Sequence, residues 1–483
     1  KKEFERVRSF QFSNENPEWI VLSKYPPEGQ VPGKDKPSGS DIVLRELATG
    51  KEFNIGNVAS YSFNKKGTHL AMIIDANDMA GNGVLLRDMK TGIINSLESD
   101  KAIYRSLRWT EEGDGFAFLK GVEDKNFEEK VFSIIGFKNL ADKNPVKVEY
   151  NHKEDKTFPE GMGISTNGGA SWNSSMTFLT FGIAEQKKKE GAEDSKDAKD
   201  KPAADEKKDA QVKENAPVPD IKKDEPKKED TKKKPAVKVE DEELPGLVIW
   251  HWQDKRLQAQ QQVNEPMDKN YTYLSIYDAA SKKFTRLAND SLRRVTIPEK
   301  GNYAIGFDNT DYELYGNLDG RNFNDIYTIN LGTGEKKLAL KQNRWSMGVS
   351  PDGSYILYFE DGHYYTYEIK TGNKVNITKN IPVSFINVED DHNVKNPPVY
   401  PIGWSKDSKT ILLSDLWDVW SVPAVGGEAI NITVNGKKEQ IKYQRRIVLD
   451  YEEKGIDLSK PLYFMMYGEW TKKGGIASVS FKK

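Results

Sequence analysis

The sequence predicts an all-β protein, a β-propeller of seven or eight four-stranded antiparallel blades, eight by count with the last one incomplete. Three observations predict it. A turn between two short apolar strands recurs along the chain. Each copy is followed by an alternating strand that closes on a glycine turn. The two together repeat about every 40 to 55 residues.

The first element reads Phe63-Asn64-Lys65-Lys66-Gly67-Thr68-His69-Leu70-Ala71-Met72, then Trp109-Thr110-Glu111-Glu112-Gly113-Asp114-Gly115-Phe116. It returns as Ser350-Pro351-Asp352-Gly353-Ser354-Tyr355-Ile356 and Trp404-Ser405-Lys406-Asp407-Ser408-Lys409-Thr410-Ile411, with weaker copies at Asn14–Val21 and Ile297–Ala304. Glycine, asparagine and aspartate supply the positive backbone angles that tight hairpins need. The second element includes Asp41-Ile42-Val43-Leu44-Arg45-Glu46-Leu47-Ala48-Thr49-Gly50, Asp325–Gly334 and Tyr365–Gly372. Its period of two marks β-strands. Two hairpins per unit give four strands, so blades are expected near residues 10–55, 58–98, 103–150, 160–290, 293–340, 344–380 and 400–434. An eighth is expected to begin at Arg446-Ile447-Val448-Leu449 and to stop mid-pattern at Lys483.

The fourth unit is interrupted. Residues 185–243 hold 17 Lys and 19 Asp or Glu in 59 positions, with no aromatic and five prolines. Such a segment buries too little apolar surface to offset the entropy of ordering, and its prolines oppose one long helix. It is expected to be a disordered, solvated insertion, with a docking tail for a partner as the competing use. The chain then divides into 1–184 (blades one to the first part of four), the insertion 185–243, and 244–483 (the rest of blade four to a truncated blade eight).

Composition narrows function. The 72 basic residues against 74 acidic ones, a net charge of -2, argue against nucleic acid as a partner. The absence of cysteine excludes a disulfide framework, a thiolate metal site and a cysteine nucleophile. No apolar run reaches the roughly 18 residues of a transmembrane helix. The chain opens on Lys1-Lys2-Glu3-Phe4, without methionine or signal peptide, and reads as a processed or excised piece.

No G-x-S-x-G elbow, H-E-x-x-H pair or P-loop occurs. The five histidines, His69, His152, His251, His363 and His392, stand far apart, so no metal and no cofactor is expected. Four residues are candidates for substrate binding. Trp252 and Arg256 lie in Val248-Ile249-Trp250-His251-Trp252-Gln253-Asp254-Lys255-Arg256-Leu257-Gln258, whose alternating aromatics fit an outer blade strand or a funnel wall. Asp391 and His392 lie in an acidic loop, Glu389-Asp390-Asp391-His392, suited to a peptide amine or to a solvated turn. In Asp415-Leu416-Trp417-Asp418, Asp418 is expected to bond backbone amides.

With these stretches in view, the chain resembles the N-terminal propeller of the prolyl oligopeptidase family of serine peptidases, which includes dipeptidyl peptidase IV-like and acylaminoacyl peptidase-like enzymes. Within it, the large Bacteroidetes-type bacterial members are most similar. The resemblance rests on Phe4–Phe10, Ile249–Gln258, Ser350–Gly353 with Tyr358-Phe359, Gly403-Trp404-Ser405, Asp415–Trp420, and Arg446–Asp450 with Ile456–Leu462.

The resemblance implies a C-terminal α/β-hydrolase domain that carries a Ser-Asp-His triad and that the propeller caps. No such domain is present in this sequence, and no triad residue carries over. It further implies a peptide substrate and a periplasmic or outer-membrane-associated location. Asp450-Tyr451-Glu452-Glu453 superficially resembles the substrate-binding glutamate pair of the dipeptidyl peptidase IV branch. It sits in the turn of the eighth blade, the wrong place, and is read as coincidence. The expected function is the substrate-gating part of a serine-type peptidase. The alternative is a non-catalytic binding scaffold in a cell-envelope complex, with an envelope protein as partner.

Overall fold

The computed structural model describes residues 3–26, 38–140, 142, 145–189 and 249–481. The chain divides into two units, residues 1–190 with 255–483, and residues 191–254.

The large unit is a β-propeller, a succession of antiparallel sheets written in chain order. The first sheet runs β1 (Val7–Phe12), β2 (Trp19–Lys24), β3 (Ser40–Glu46), β4 (Glu52–Phe63), β5 (His69–Ile74), β6 (Gly83–Asp88) and β7 (Ile94–Ser99). Its seven strands are two expected blades joined through β4, which pairs with β3 up to Val58 and with β5 from Val58 onward. The bend falls at Asn57, whose φ is 56°, a left-handed conformation that asparagine tolerates better than most residues. The second sheet holds β8 (Ile103–Trp109), β9 (Gly115–Val122), β10 (Val131–Lys138) and β11 (Val146–Tyr150).

In the third sheet the first strand is broken into β12 (Met162–Ile164) and β13 (Ala170–Trp172). Both pair with β14 (Phe178–Glu185). Helix α1 (Gln258–Lys269) intervenes before β15 (Tyr273–Asp278) and β16 (Lys283–Arg286) complete the sheet. The fourth sheet holds β17 (Arg294–Thr296), β18 (Tyr303–Asp308), β19 (Asn324–Asn330) and β20 (Lys336–Asn343), with α2 (Glu313–Asp319) between β18 and β19. The fifth holds β21 (Trp345–Val349), β22 (Tyr355–Glu360), β23 (His363–Glu368) and β24 (Lys374–Asn376). The sixth holds β25 (Gly403–Trp404), β26 (Thr410–Ser414), β27 (Val419–Pro423) and β28 (Ile430–Asn431). After α3 (Gly436–Glu439), the last sheet has three strands, β29 (Ile441–Ile447), β30 (Leu462–Gly468) and β31 (Gly474–Val479).

Apolar cores lie between successive sheets. Phe116, Phe118, Ile135 and Phe137 of the second sheet pack with Ala71, Ile73, Val84 and Leu86 of the first. Leu119 and Ile134, among the inward residues of that same sheet, meet Trp172, Leu179 and Phe181 of the third. The second strand of a sheet is therefore covered on both faces, which explains continuous apolar runs such as Gly115–Leu119 in β9, every residue buried. Each fully buried aromatic contributes about 1.5–3 kcal/mol by leaving water.

The recurrent first turns also bond to one another. Asn14 donates through Nδ2 to the Asn64 carbonyl at 2.8 Å, and Asn64 to the Gly113 carbonyl at 3.2 Å. Ser174 Oγ donates to the Glu299 carbonyl at 3.0 Å. The Asp352 amide donates to Ser408 Oγ at 3.0 Å, and the Lys406 amide to the Ile456 carbonyl at 2.9 Å. The turn residues thus knit neighbouring sheets together as well as reversing the chain.

Three sequence expectations need correction. The stretch through Trp250 and Trp252 is not a strand: residues 249–257 join no sheet, and the chain enters α1 at Gln258. Alternating aromatics make a strand only where a partner edge exists, and β14 already has β15 as its neighbour. The insertion does not begin at 185, since Glu185 ends β14, and the Glu128 and Lys189 amides donate to the Lys187 and Asn126 carbonyls. Disorder over the rest of the insertion concerns residues outside the described ones from 190 to 248. The last sheet begins at Ile441 instead of Arg446. Among the described residues no helix is long and apolar enough to cross a membrane.

Candidate functional site

The second, third and fourth sheets frame a cavity of about 740 Å³. Its walls come from first strands: Arg108 of β8, Ser171 of β13, Arg294 and Val295 of β17. Strand β8 packs against β4 on one side and β13 on the other. The other wall is the α1 segment, with Arg256, Met267, Asp268 and Tyr271, and its rim is the loop from Asp308 to Glu313.

Four guanidiniums line this cavity, and they are held in two ways. Arg256 donates from Nε to Glu313 at 2.5 Å and from Nη1 to Asp268 at 2.8 Å. Burial works against its charge, but the Glu313 hydrogen bond and the two carboxylates outweigh it and hold its pKa above the ordinary arginine value. Arg293 reaches Asp268 at 3.2 Å and stacks on the Tyr271 ring at 4.0 Å. Arg294 instead stacks on Phe307 at 4.7 Å and donates to the Asn324 side-chain carbonyl at 2.9 Å, so both of its supports are neutral. Arg108 has no hydrogen-bond or carboxylate partner among the described residues, and its guanidinium lies over the backbone of Gly169.

The predicted site residues fall in three places. Arg256 lines the cavity. Trp252 belongs to the small unit, where it lies 82% exposed, its ring 5.7 Å from that of His251. Asp391 and His392 stand side by side on the exposed connector between β24 and β25. His392 Nδ1 is 2.9 Å from Asp390 and 3.7 Å from Asp391. The Asp390 hydrogen bond and the two carboxylate charges raise its pKa above the usual histidine value. Arg108, Arg293 and Arg294 were not singled out by sequence, because two segments far apart in the chain, β8 and the start of β17, bring them to one cavity. The one available signal was the adjacent pair Arg293-Arg294 just before an expected strand.

The other end of the propeller carries the connector of residues 448–461, between β29 and β30. Glu452 pairs with Lys65 at 2.6 Å, and Lys454 with Glu111 at 2.9 Å and Glu299 at 3.7 Å. Glu453 pairs with Arg446. A Cβ on Gly455 would lie 2.8 Å from the Lys406 Cα and 3.0 Å from Pro351. One short segment thus reaches turns of five blades, so those turns surround one axis and the connector runs across it as a strap. The acidic pair resembling a substrate-binding motif is engaged in these contacts. Replacing both Lys65 and Lys454 with alanine is expected to speed chymotryptic cleavage after the 93%-exposed Tyr451 several-fold. Global stability is expected to stay nearly unchanged, because exposed ion pairs contribute little to it. Limited proteolysis beside a urea titration checks both.

No family model and no curated protein matches the chain. Among solved structures it is similar to the β-propeller domain of the Trilobed protease from Pyrococcus furiosus, at 10% identity over 88% of this chain and 97% of that one, TM-score 0.30. It is similar to Porphyromonas gingivalis dipeptidyl peptidase 4 at 12% identity over 94% and 57%, TM-score 0.33. Pyrococcus horikoshii acylaminoacyl peptidase matches at 11% identity over 96% and 58%, TM-score 0.29. The chain thus spans a little over half the length of these last two. Matches this shallow carry no argument of their own, and the propeller rests on the sheets and turns described above.

Proposed function

We propose that this chain is the substrate-gating propeller of a serine-type peptidase acting on peptides, at a periplasmic or outer-membrane-associated location. Hydrolysis would belong to an α/β-hydrolase domain outside this sequence. The observation that carries the reading is the cavity itself. It is walled by first strands and lined by guanidiniums, carboxylates and hydroxyls, a mixture that suits the amide, amine and carboxylate groups of a peptide. The strap across the far end of the axis fits a gating role, since it narrows the ways in. In this reading the propeller supplies no nucleophile; it selects by size and orients the peptide.

A serine-directed fluorophosphonate probe applied to the native gene product tests the proposal. Labelling is expected, together with cleavage of short peptides. A native product that binds peptides but takes no label would establish the scaffold alternative instead.

A further inference from the structure

The four cavity arginines are not equivalent. Arg256 and Arg293 already share the carboxylates of Asp268 and Glu313. Arg294 is held in place by a ring and an amide, neither of which neutralises it. Arg108 lies over the Gly169 backbone with no anion beside it among the described residues. Two guanidiniums thus line one cavity, from β8 and from β17, neither of them in an ion pair with a described residue.

The remaining acidic groups of the lining are engaged with neutral donors. Asp290 accepts the Tyr273 hydroxyl, and Asp308 accepts the Thr310 amide at 2.9 Å. An arginine fork matches the two oxygens of a carboxylate in plane and spacing, and such charge-assisted pairs are about twice as strong as neutral hydrogen bonds.

We propose that Arg108 and Arg294 form a seat for a carboxylate group of the bound peptide. This rests on the peptide-binding reading above and adds the end of the ligand that is held. The carboxylate could belong to the C-terminus or to an acidic side chain. A C-terminal seat would set a length limit, because the distance from the anchor to the cleaved bond would be fixed.

Fluorescence anisotropy on the full 483-residue chain tests it with three probes, each carrying an N-terminal fluorophore. They are tetra-alanine as the free acid, tetra-alanine amide, and Ala-Ala-Glu-Ala amide. The free acid is expected to bind at least about tenfold more tightly than the tetra-alanine amide, the worth of one charge-assisted pair. Arg108→Gln and Arg294→Gln should each remove most of that difference, and Arg294→Lys should retain part of it. Both arginines are exposed, so thermal unfolding should be unchanged and will confirm folding. Preference for the glutamate-bearing amide over the plain amide, with no gain for the free acid, would assign the seat to a side chain. Equal binding of all three probes, unaffected by either Gln variant, overturns the carboxylate seat and leaves peptide binding standing. Binding of none of them overturns both.

Discussion

Gly353→Ala is expected to destabilise the protein by about 3 kcal/mol, whereas Gly161→Ala should lose only about 1 kcal/mol. The two glycines share a φ of 74°, so the backbone strain of adding a Cβ is the same at both. Their surroundings differ. Around Gly161 nothing lies within 4 Å of the added carbon. At Gly353 that carbon would sit 2.1 Å from the Lys300 carbonyl oxygen, on the neighbouring turn. Relieving the overlap means prising the turn before β22 away from the turn before β18, which also loosens the cores between those sheets. Overpacking of this kind typically adds about 1–3 kcal/mol to the conformational strain. Urea unfolding followed by tryptophan fluorescence measures both variants, and equal losses would show that the turns yield freely.

Asp418→Ala is expected to cost about 3 kcal/mol. The carboxylate is 3% exposed. It accepts the Thr433 hydroxyl at 2.6 Å, the Gly436 amide at 2.9 Å and the Lys437 amide at 3.2 Å. It thereby holds α3, which leads the chain out of the sixth sheet and into β29. Alanine would leave the buried Gly436 amide without its acceptor and release the Thr433 hydroxyl and Lys437 amide beside it. Asp418→Asn keeps the volume and one acceptor oxygen, so it should recover a third to a half of the loss. Hydrogen exchange should quicken first at Gly436 and Lys437. Uniform exchange across the chain would mean that the carboxylate acts on the whole fold instead.

The strands were legible because each obeys a local rule. Short apolar runs behind Asn, Asp and Gly turns mark β2, β5, β9, β22 and β26, and period-two patterning marks β3, β19 and β23, all without knowledge of any partner. What Gly353 touches was not legible: its positive φ follows from the hairpin, but the approach of Lys300 is set by a different sheet. The stretch around Trp250 and Trp252 failed for the converse reason, since it has the pattern of a strand but no free edge to join. Helix α1 was hidden by Pro266 within it and by its glutamine-rich first turn, Gln258-Ala259-Gln260-Gln261, which shows no apolar stripe. In β29, Ile441-Lys442-Tyr443-Gln444-Arg445-Arg446-Ile447, the charged residues mask the alternation, which displaced the expected start of the last sheet. Of the cavity arginines only Arg256 stood out, because it follows a tryptophan-rich stretch; Arg108 and Arg294 acquire their meaning only once β8 and β17 stand on either side of the cavity.

The strap of residues 448–461 bears on the order in which this protein assembles. Nearly every other contact named here joins hairpin neighbours or adjacent sheets, and such local pairings form early. The Lys65–Glu452 pair joins positions roughly 390 residues apart, and the entropy of closing a loop rises with its length. These ion pairs should therefore form last on refolding, after the sheets are in place, and should be the first to part on unfolding. A fluorophore pair across them would report the final step of the folding clock, separate from the tryptophan signal of the sheets themselves.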